Sequence, residues 1–448
     1  MDKREKRKRA IRRRRIFIAA CAAVLAACIA VICVIVSAIA RSFSEDGTES
    51  SKNSSITNSS SQQEQEKEYK SVTATVLNTG DLLMHDNVLW GAKTDSDYDF
   101  SAFFKEANEY IKSADLAVAN LEVTLGGTAA GKYSGYPYFN SPDSLLDYLK
   151  ADGFDLLLTA NNHCFDTGIN GLKRTVSQIK SKGIDFLGTK ETEADPTYII
   201  KDVNGIKIGM VCYTYETGRD ADGTKYINGI RVPAANGKLI NSFSYSYINE
   251  FYSEAQSVIS FMENAGADAV VFYMHWGNEY ETTPNTWQKT IAQRLCNMGV
   301  DVIVGAHPHV IQPIEMLYAE GGEHTTVCLY SMGNSISNQR IEEMGNRCPT
   351  GHTEDGVLFS YTFEKSKDGS TVLSSVDIIP TWVNRYGSVR DYDYTMYPLE
   401  NADMADSYGL DSNTANKARA SFERTKKIVA KGLNECQQSL GCDIRFAE

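Results

Sequence analysis

From residue 72 onwards, short apolar runs rich in β-branched residues alternate with longer segments whose apolar residues recur at helical spacing. This alternation is typical of an α/β fold with a largely parallel sheet. The predicted strands are Val72–Asn78, Leu116–Ala119, Leu156–Thr159, Ile208–Tyr213, Ala269–Met274 and Val302–Val304. The predicted helices are Ala102–Lys112, Ser144–Lys150, Gly171–Lys182, Ile248–Asn264 and Trp287–Met298.

Later segments indicate that the sheets close with antiparallel pairs. The dipeptide Asn204-Gly205 stands between two apolar runs, Tyr198–Val203 and Ile206–Met210, and predicts a hairpin. Further predicted strands are Thr326–Tyr330, Val357–Phe363 and Val372–Ile379, and Thr414–Gln438 is predicted to be a terminal helix.

A separate apolar run lies near the N-terminus. Residues 16–40 contain no charged side chain, and as a helix they would extend roughly 37 Å, enough to cross a bilayer core of about 30 Å. The run is longer than the apolar region of a signal peptide, so we expect an uncleaved anchor. Arg12–Arg15 precede it, and the positive-inside rule keeps such residues in the cytoplasm. The predicted topology is single-pass in the cell membrane, with an extracellular C-terminal domain.

The chain thus divides into segments of different composition. The predicted segments are a basic cytoplasmic segment at 1–15, the anchor at 16–40, a flexible linker at 41–70, the α/β domain at 71–384 and a helical extension at 385–448. The linker is rich in Ser, Asn, Gln and Glu and has few large apolar residues, so it cannot offset the entropy of ordering.

Charge and cysteine content narrow the function classes. The net charge is −12, although the first 15 residues are strongly basic, so the remainder of the chain is more acidic still. Such a surface has no general attraction for nucleic acid, and no nucleic-acid partner is expected. No cysteine spacing matches a zinc finger or a disulfide framework. Cys436 and Cys442 are near enough in sequence to pair, but free buried thiols are an equal alternative.

Each main predicted strand ends in a small cluster of polar residues. The clusters are Thr79-Gly80-Asp81 with His85 beyond it, Asn120-Leu121-Glu122, Ala160-Asn161-Asn162-His163 with Asp166 and Gly168, His275-Trp276-Gly277-Asn278-Glu279, Gly305-Ala306-His307-Pro308-His309, and Ser331-Met332-Gly333-Asn334. In open α/β sheets, loops at the carboxyl ends of the strands converge on the ligand crevice. We therefore expect these side chains to gather at one edge.

Taken one at a time, these clusters have ordinary explanations. Gly80-Asp81 alone is most often a turn, and Asn120 and Glu122 alone could be a helix cap and a surface charge. Together they supply carboxylates, amide oxygens and imidazoles, which divalent Zn, Mn or Fe sites require. His307 and His309 lie two residues apart, so both face one side of an extended chain. The sequence predicts one or two divalent ions at this edge.

These residues, in this order, resemble the bacterial capsule-synthesis CapA family, whose members are similar to calcineurin-like metallophosphoesterases. The resemblance covers about residues 71–382 and rests on Gly80-Asp81, Asn120-Leu121-Glu122, Asn161-Asn162-His163 with Asp166-x-Gly168, His275-Trp276-Gly277-x-Glu279-Tyr280, Gly305-x-His307-Pro308-His309 and Ser331-x-Gly333-Asn334. It implies a four-layer α/β/β/α sandwich. The family includes the membrane-anchored component of poly-γ-glutamate synthesis and export systems, which agrees with the predicted anchor.

The resemblance also implies roles for the matching residues. The implied metal ligands are Asp81 and His309 for one ion, Asn162, His275 and His307 for the other, and Glu122 as the bridge between them. His163 would be the outer-sphere acid that protonates the leaving oxygen or steadies the transition state. Glu279 would contact the ligands or the substrate.

One position departs from the superfamily pattern. The first motif of the superfamily is Asp-x-His, whereas the residue two positions after Asp81 is Leu83. His85 substitutes for the missing histidine only if the chain turns after Gly80, because an extended chain carries it away from Asp81. The sequence is therefore compatible with a site for one metal ion as well as with a site for two.

The sequence is compatible with three functions. The first is a metal-dependent hydrolase of a phosphoester or amide in capsule or poly-γ-glutamate production, whose partners are the membrane, an anionic polymer such as poly-γ-glutamate and other capsule-synthesis membrane proteins. The second is a non-catalytic assembly or export subunit that binds polymer or partner membrane proteins. The third is a surface nucleotidase or phosphodiesterase unrelated to capsule. The sequence has no Gly-x-Ser-x-Gly elbow and no Gly-x4-Gly-Lys loop, which disfavours a serine hydrolase and ATP-driven ligation.

Overall fold

A computed structural model describes residues 71–446, so the predicted basic segment, anchor and linker at 1–70 lie outside the described residues. The strands of the described part are β1 Val72–Leu82, β2 Leu116–Leu121, β3 Leu156–Leu158, β4 Asp185–Leu187, β5 Tyr198–Val203, β6 Ile206–Tyr215, β7 Gly218–Arg219, β8 Lys225–Ile227, β9 Ile230–Arg231, β10 Ser242–Phe243, β11 Ala269–His275, β12 Val302–Ala306, β13 Ile314–Tyr318, β14 Thr325–Leu329, β15 Asn334–Ile336, β16 Asp355–Lys365, β17 Thr371–Ser388 and β18 Asp391–Pro398.

The α-helices over the same residues are α1 Asp86–Ala92, α2 Asn108–Ser113, α3 Ser144–Asp152, α4 Gly168–Ser181, α5 Ile248–Asn264, α6 Thr286–Cys296, α7 Ile341–Met344, α8 Met404–Ser407 and α9 Ser412–Leu440. Between residues 71 and 446, no helix has both the length and the apolar character needed to cross a membrane.

Two large sheets organise these elements. The first has the order β18-β17-β16-β1-β2-β3-β4, and β15 also pairs with the end of β1. Strands β1 to β4 run parallel, whereas β16 to β18 run antiparallel to their neighbours. The second has the order β10-β6-β11-β12-β14-β13, with β5 paired to β6, and a small sheet β7-β8-β9 follows β6. The α/β class predicted from the alternation is confirmed.

Alternation along the strands sends side chains into two different cores. In the first sheet, Val76 and Val118 belong to an apolar cluster that also contains Met210 and Val271 of the second sheet. This cluster therefore lies between the two sheets, where Tyr273 and Tyr361 also approach each other, with 3.1 Å between their hydroxyl oxygens. The alternate side chains of each strand point away from this cluster, towards the outward face of their sheet. This is expected for strands that are buried on both faces.

Helices cover the outward faces. Leu77 and Ala117 of the first sheet pack in one cluster with Leu145 of α3, and Phe272 of the second sheet packs in another with Ile259 of α5. Each of the two sheets is thus covered by helices on the face that points away from the shared cluster. The carboxyl ends of β1, β2 and β3 in one sheet and of β11 and β12 in the other carry the polar clusters that the sequence analysis singled out.

Most predicted elements are present, with one clear error in the helices. The hairpin at Asn204-Gly205 joins β5 to β6 in antiparallel register, and α5 has the predicted bounds. The helix predicted at Ala102–Lys112 begins only at Asn108. The residues before Asn108 form turns. There the carbonyl of Phe103 accepts a hydrogen bond from the amide of Met396 in β18 at 2.9 Å, which attaches this segment to the edge of the sheet instead of to a helix.

The predicted boundary at residue 384 needs correction. Strand β17 runs through this position to Ser388, and β18 pairs with it along its whole length, so residues 385–398 belong to the first sheet rather than to a helical extension. The helical part is confined to α8 and α9, and α9 contacts β17 of the first sheet and β13 of the second. Cys436 on α9 and Cys442 after it are free thiols.

Gly80 provides a test of how β1 approaches β15. A Cβ atom built on Gly80 would lie 2.1 Å from the carbonyl oxygen of Gly333, which accepts the amide of Asp81 at 3.0 Å. We expect Gly80→Ala to lower the free energy of unfolding by about 1–3 kcal/mol, because the backbone must move apart. Denaturant unfolding measures this change. Gly237→Ala is the control, since its Cβ would meet nothing closer than 3.8 Å; equal stability of both variants would contradict the prediction.

Candidate metal centre

The six residues predicted as metal ligands lie together in the structure. They come from five strand ends: Asp81 from β1, Glu122 after β2, Asn162 after β3, His275 at the end of β11, and His307 and His309 after β12. All six are buried, with Asp81 and Glu122 fully inaccessible to solvent. Loops from the two sheets therefore converge at one edge, as the sequence predicted.

One group consists of Asp81, Glu122 and His309. One ligand atom from each lies within 4.8 Å of the other two, which is the spacing that a single ion can span. His309 Nδ1 is 3.1 Å from Asp81 Oδ2, and His309 Nε2 is 3.8 Å from Glu122 Oε1.

The second group consists of Glu122, His275 and His307, again with ligand atoms within 4.8 Å of one another. His275 Nε2 is 3.5 Å from Glu122 Oε1 and 2.7 Å from Asn162 Oδ1, so Asn162 adjoins this group. Glu122 belongs to both groups. This is the position that the family resemblance implied for a bridging carboxylate.

The backbone around the two histidines after β12 is strained. His307 has a φ of +96° and His309 a φ of +58°. Residues other than glycine rarely adopt a positive φ. Such conformations cost about 1–3 kcal/mol each and persist where the surroundings impose them. Here they allow both imidazoles, together with the amide of His307, to face Asp81 and Glu122.

Two polar atoms of the candidate ligands have no hydrogen-bond partner within the described residues. Glu122 Oε1 and His307 Nδ1 are both buried and unpaired. Buried polar groups are nearly always satisfied, so two orphaned lone-pair atoms in one cluster indicate that a ligand belongs there. Both atoms are of the type that a divalent cation binds, and the residues present therefore fit a metal ion.

The charge states of the centre lead to the same conclusion. Burial lowers the pKa of His275 to about 3 and holds that of His307 well below its ordinary value, so both imidazoles remain neutral with a lone pair to donate. Burial and the neighbouring Asp81 raise the pKa of Glu122 well above its usual range. Burial acts to raise the pKa of Asp81, but the hydrogen bond to His309 and the neighbouring imidazoles outweigh burial, so that this pKa is lowered. A divalent cation would relieve the repulsion between the two carboxylates.

His163 lies beside the two groups without belonging to either. Its Nδ1 is 2.7 Å from Asp166 Oδ2, and that carboxylate oxygen also accepts the amide of Phe139 at 2.7 Å. The ring of Phe139 packs edge-on against the imidazole, with centroids 4.6 Å apart. With Nδ1 engaged and the ring held, Nε2 is the nitrogen left for a substrate.

A pocket of about 220 Å³ adjoins the centre, and His163, His309, Glu279 and His85 line it. Glu279 is exposed at the rim and lies outside both ligand groups, so its predicted role in contacting substrate remains a prediction. His85 follows the end of β1, which stays extended to Leu82 rather than turning after Gly80. Its Nδ1 accepts the amide of Asn338 at 3.2 Å, and it belongs to neither ligand group.

Three asparagines make contacts in the centre that the sequence motifs did not predict. Asn120 Nδ2 donates to Asp81 Oδ1 at 2.7 Å and to Glu122 Oε2 at 3.3 Å, thereby linking the two carboxylates. Asn334 Nδ2 donates to the carbonyl of His309 at 3.2 Å, and Asn228 Nδ2 lies 3.4 Å from His163 Nδ1. Asn120 and Asn334 stand within recognised motifs, whereas the only signal for Asn228 is the turn dipeptide Asn228-Gly229.

Comparison with known proteins identifies the family. Residues 75–339 match the profile of the family described as "Bacterial capsule synthesis protein PGA_cap". The chain belongs to this family. The match extends from within β1 into the segment that follows β15, so it includes all six predicted metal ligands and confirms the membership expected from the motifs.

Two relatives of this chain are named as capsule-synthesis proteins. The chain is 31% identical to the "PGA biosynthesis protein CapA" of Bacillus subtilis (strain 168) over 232 residues, which cover 51% of this chain and about half, 52%, of that protein. It is 26% identical to the "Capsule biosynthesis protein CapA" of Bacillus anthracis over 318 residues, which cover 70% of this chain and 68% of that protein. Among solved structures, the NAD nucleotidase NadN of Haemophilus influenzae aligns over 83% of this chain and 59% of its own, with a TM-score of 0.42 and 13% identity.

Proposed function

We propose that this chain is a metal-dependent hydrolase that acts on a phosphoester or an amide during capsule or poly-γ-glutamate production. The observation that carries the proposal is the pair of buried ligand groups that share Glu122 beside an open pocket. The residues that would hold the metal are Asp81, Glu122, Asn162, His275, His307 and His309. The chemistry that such an ion supplies is that of a Lewis acid, which lowers the pKa of water towards neutrality.

The chain's own residues would orient the substrate and move the proton. His163, held by Asp166, would present its Nε2 to the leaving oxygen or nitrogen and protonate it. Glu279 at the rim would contact the part of the substrate that extends out of the pocket. Asn120 would keep the carboxylates of Asp81 and Glu122 in place through its two donated hydrogen bonds.

We further propose that the domain has a metallophosphoesterase-like α/β/β/α architecture and works at the outer surface of the cell membrane, anchored by residues 16–40. The apolar run and the basic residues before it support this location. An anionic polymer such as poly-γ-glutamate and other capsule-synthesis membrane proteins are the proposed partners; the two relatives are named for PGA biosynthesis and capsule biosynthesis, which supports a polymer of this kind. Deleting residues 16–40 should release the protein from washed membranes; retention of the shortened chain would argue against the anchor.

The experiment that tests the activity starts from the purified full-length chain. Its metal content is measured, and hydrolysis of phosphomonoesters, phosphodiesters and γ-glutamyl peptides is followed with and without a chelator. We expect hydrolysis of one substrate class, its loss on chelation, and its return on addition of Mn²⁺, Zn²⁺ or Fe²⁺. The return on addition is the control that separates metal removal from denaturation.

Bound metal without turnover of any of these substrates would contradict the hydrolase proposal. It would favour the assembly or export role, in which the same centre holds polymer or partner proteins. Turnover confined to nucleotides would instead favour the nucleotidase considered from the sequence.

A further inference from the structure

A second cavity, of about 400 Å³, lies outside the pocket of the metal centre and shares no lining residue with it. Its lining comes from the segment that precedes β5, from the small sheet β7-β8-β9 with the segment after it, and from α5. Seven charged side chains line it, and the basic ones are Lys190, Arg219, Lys225 and Lys238. Such a concentration of charge in a cavity needs an explanation, because buried charges are normally paired.

Two of the four basic side chains are paired with carboxylates. Arg219 donates to both carboxylate oxygens of Glu216, at 2.8 Å each. Lys238 is largely exposed, and its Nζ lies 3.4 Å from Glu193 Oε2. These pairs leave little net charge for a ligand.

Lys190 and Lys225 differ from them. Lys190 is only 8% exposed, and its Nζ donates to the hydroxyl of Thr197 at 2.7 Å. Lys225 Nζ donates to the carbonyl of Ile240 at 2.8 Å and to the hydroxyl of Ser242 at 2.6 Å. Among residues 71–446, no carboxylate forms an ion pair with either ammonium.

The two lysines therefore keep unused hydrogen-bond donors. An ammonium has three N–H donors, so Lys190 retains two and Lys225 retains one within the described residues. Burial also lowers the pKa of both side chains, that of Lys225 to about 8, and the neighbouring carboxylates, Glu254 for Lys190 and Glu216 for Lys225, oppose this shift without cancelling it. Glu254 is the remaining acid of the lining; it is exposed and accepts the hydroxyl of Tyr213 at 3.0 Å.

We propose that this cavity is a second binding site, which takes a small oxyanion, a carboxylate or a phosphate group, between Lys190 and Lys225. The oxyanion supplies the negative charge and the acceptors that the two ammonium groups lack. Glu254 opposes it, so ligands of low charge are favoured. Lys225 belongs to β8, and the turn from β8 to β9 carries Asn228, which contacts His163; the site is thus a neighbour of the metal centre rather than part of it.

The test is calorimetric titration of the chelator-treated full-length chain, so that the metal centre adds no affinity for anions. Inorganic phosphate is the probe in one series and L-glutamate in the other. We expect saturable binding of one ligand per chain in at least one series, and the series that binds identifies the kind of oxyanion. Lys190→Met and Lys225→Met should each weaken binding about tenfold or more. Lys431→Met, at a position 89% exposed on α9, is the matched control and should bind as the unmodified protein does.

A third variant keeps the test decisive if a buried lysine variant fails to fold. Glu254 is exposed, so Glu254→Gln leaves the packing intact and should increase the affinity by removing a like charge. The proposal is overturned if neither probe binds saturably at millimolar concentration. It is also overturned if binding is unchanged in the lysine variants or is not strengthened by Glu254→Gln.

Discussion

Glu122→Gln is expected to abolish metal binding at both candidate groups, because Glu122 is the one residue that they share. The amide keeps the size of the side chain but removes the charge and one of the two oxygens. Removing an outer-sphere partner of a metal ligand typically costs about 10–100-fold in affinity, and the loss of a shared carboxylate should exceed that. Hydrolysis should fall with the metal content.

The same substitution should leave the metal-free protein at least as stable as before. Glu122 Oε1 is buried without a hydrogen-bond partner, and the carboxylate lies near Asp81 in a site that disfavours its charge. Replacing an uncompensated buried charge with a neutral isostere removes that penalty. The variant would therefore gain stability in its metal-free form and lose metal-dependent hydrolysis.

Elemental analysis and thermal unfolding with and without added metal measure both effects. In the unmodified protein, a metal that binds only the native state raises the unfolding temperature. This increase should vanish in Glu122→Gln and persist in Glu109→Gln, a control at an exposed position on α2. Full metal content in Glu122→Gln would show that the two groups are not the metal site.

In contrast to Glu122→Gln, His163→Ala should cause a large loss of hydrolysis while the metal content stays unchanged. His163 belongs to neither ligand group, yet it lines the pocket and is held by Asp166. A positioned general acid contributes about 10²–10⁴-fold to a rate, so kcat should fall by a factor in that range.

Asp166→Asn gives a graded version of this experiment. It retains the side chain's size but weakens the contact that orients His163, so kcat should fall less than in His163→Ala while the metal content again stays constant. His324→Ala is the histidine control, because His324 contacts the carbonyl of Val300 and does not line the pocket. Loss of metal from His163→Ala would instead place His163 among the ligands.

The elements of the fold were predictable to different degrees, depending on whether local pattern or long-range pairing decides them. Ile248–Asn264 has one continuous apolar face, and its predicted bounds are those of α5. In contrast, residues 102–107 have a helical spacing of apolar residues but form turns, because Phe103 bonds to the distant strand β18. Residues 385–398 are polar enough to suggest an extension, although they complete an edge hairpin that is exposed around its turn and buried at residues 394–398.

The candidate ligands were predictable because their positions follow from topology. A polar residue at the carboxyl end of a buried strand has few places to lie other than the edge shared by its neighbours. His85 shows the limit of this reasoning: its spacing from Asp81 was known, but whether the chain turned early enough depended on β15 pairing with the last residues of β1.

The sequence by itself determined the class of fold, the family and the set of residue types that converge on one edge, because strand periodicity and strand-end motifs are local properties. Only the tertiary structure decided that His85 lies outside both ligand groups, that Asn120 links the two carboxylates, and that Lys190 and Lys225 border one cavity. Distances between side chains from different strands depend on register, twist and backbone strain such as that at His307, which are set by packing of the whole domain.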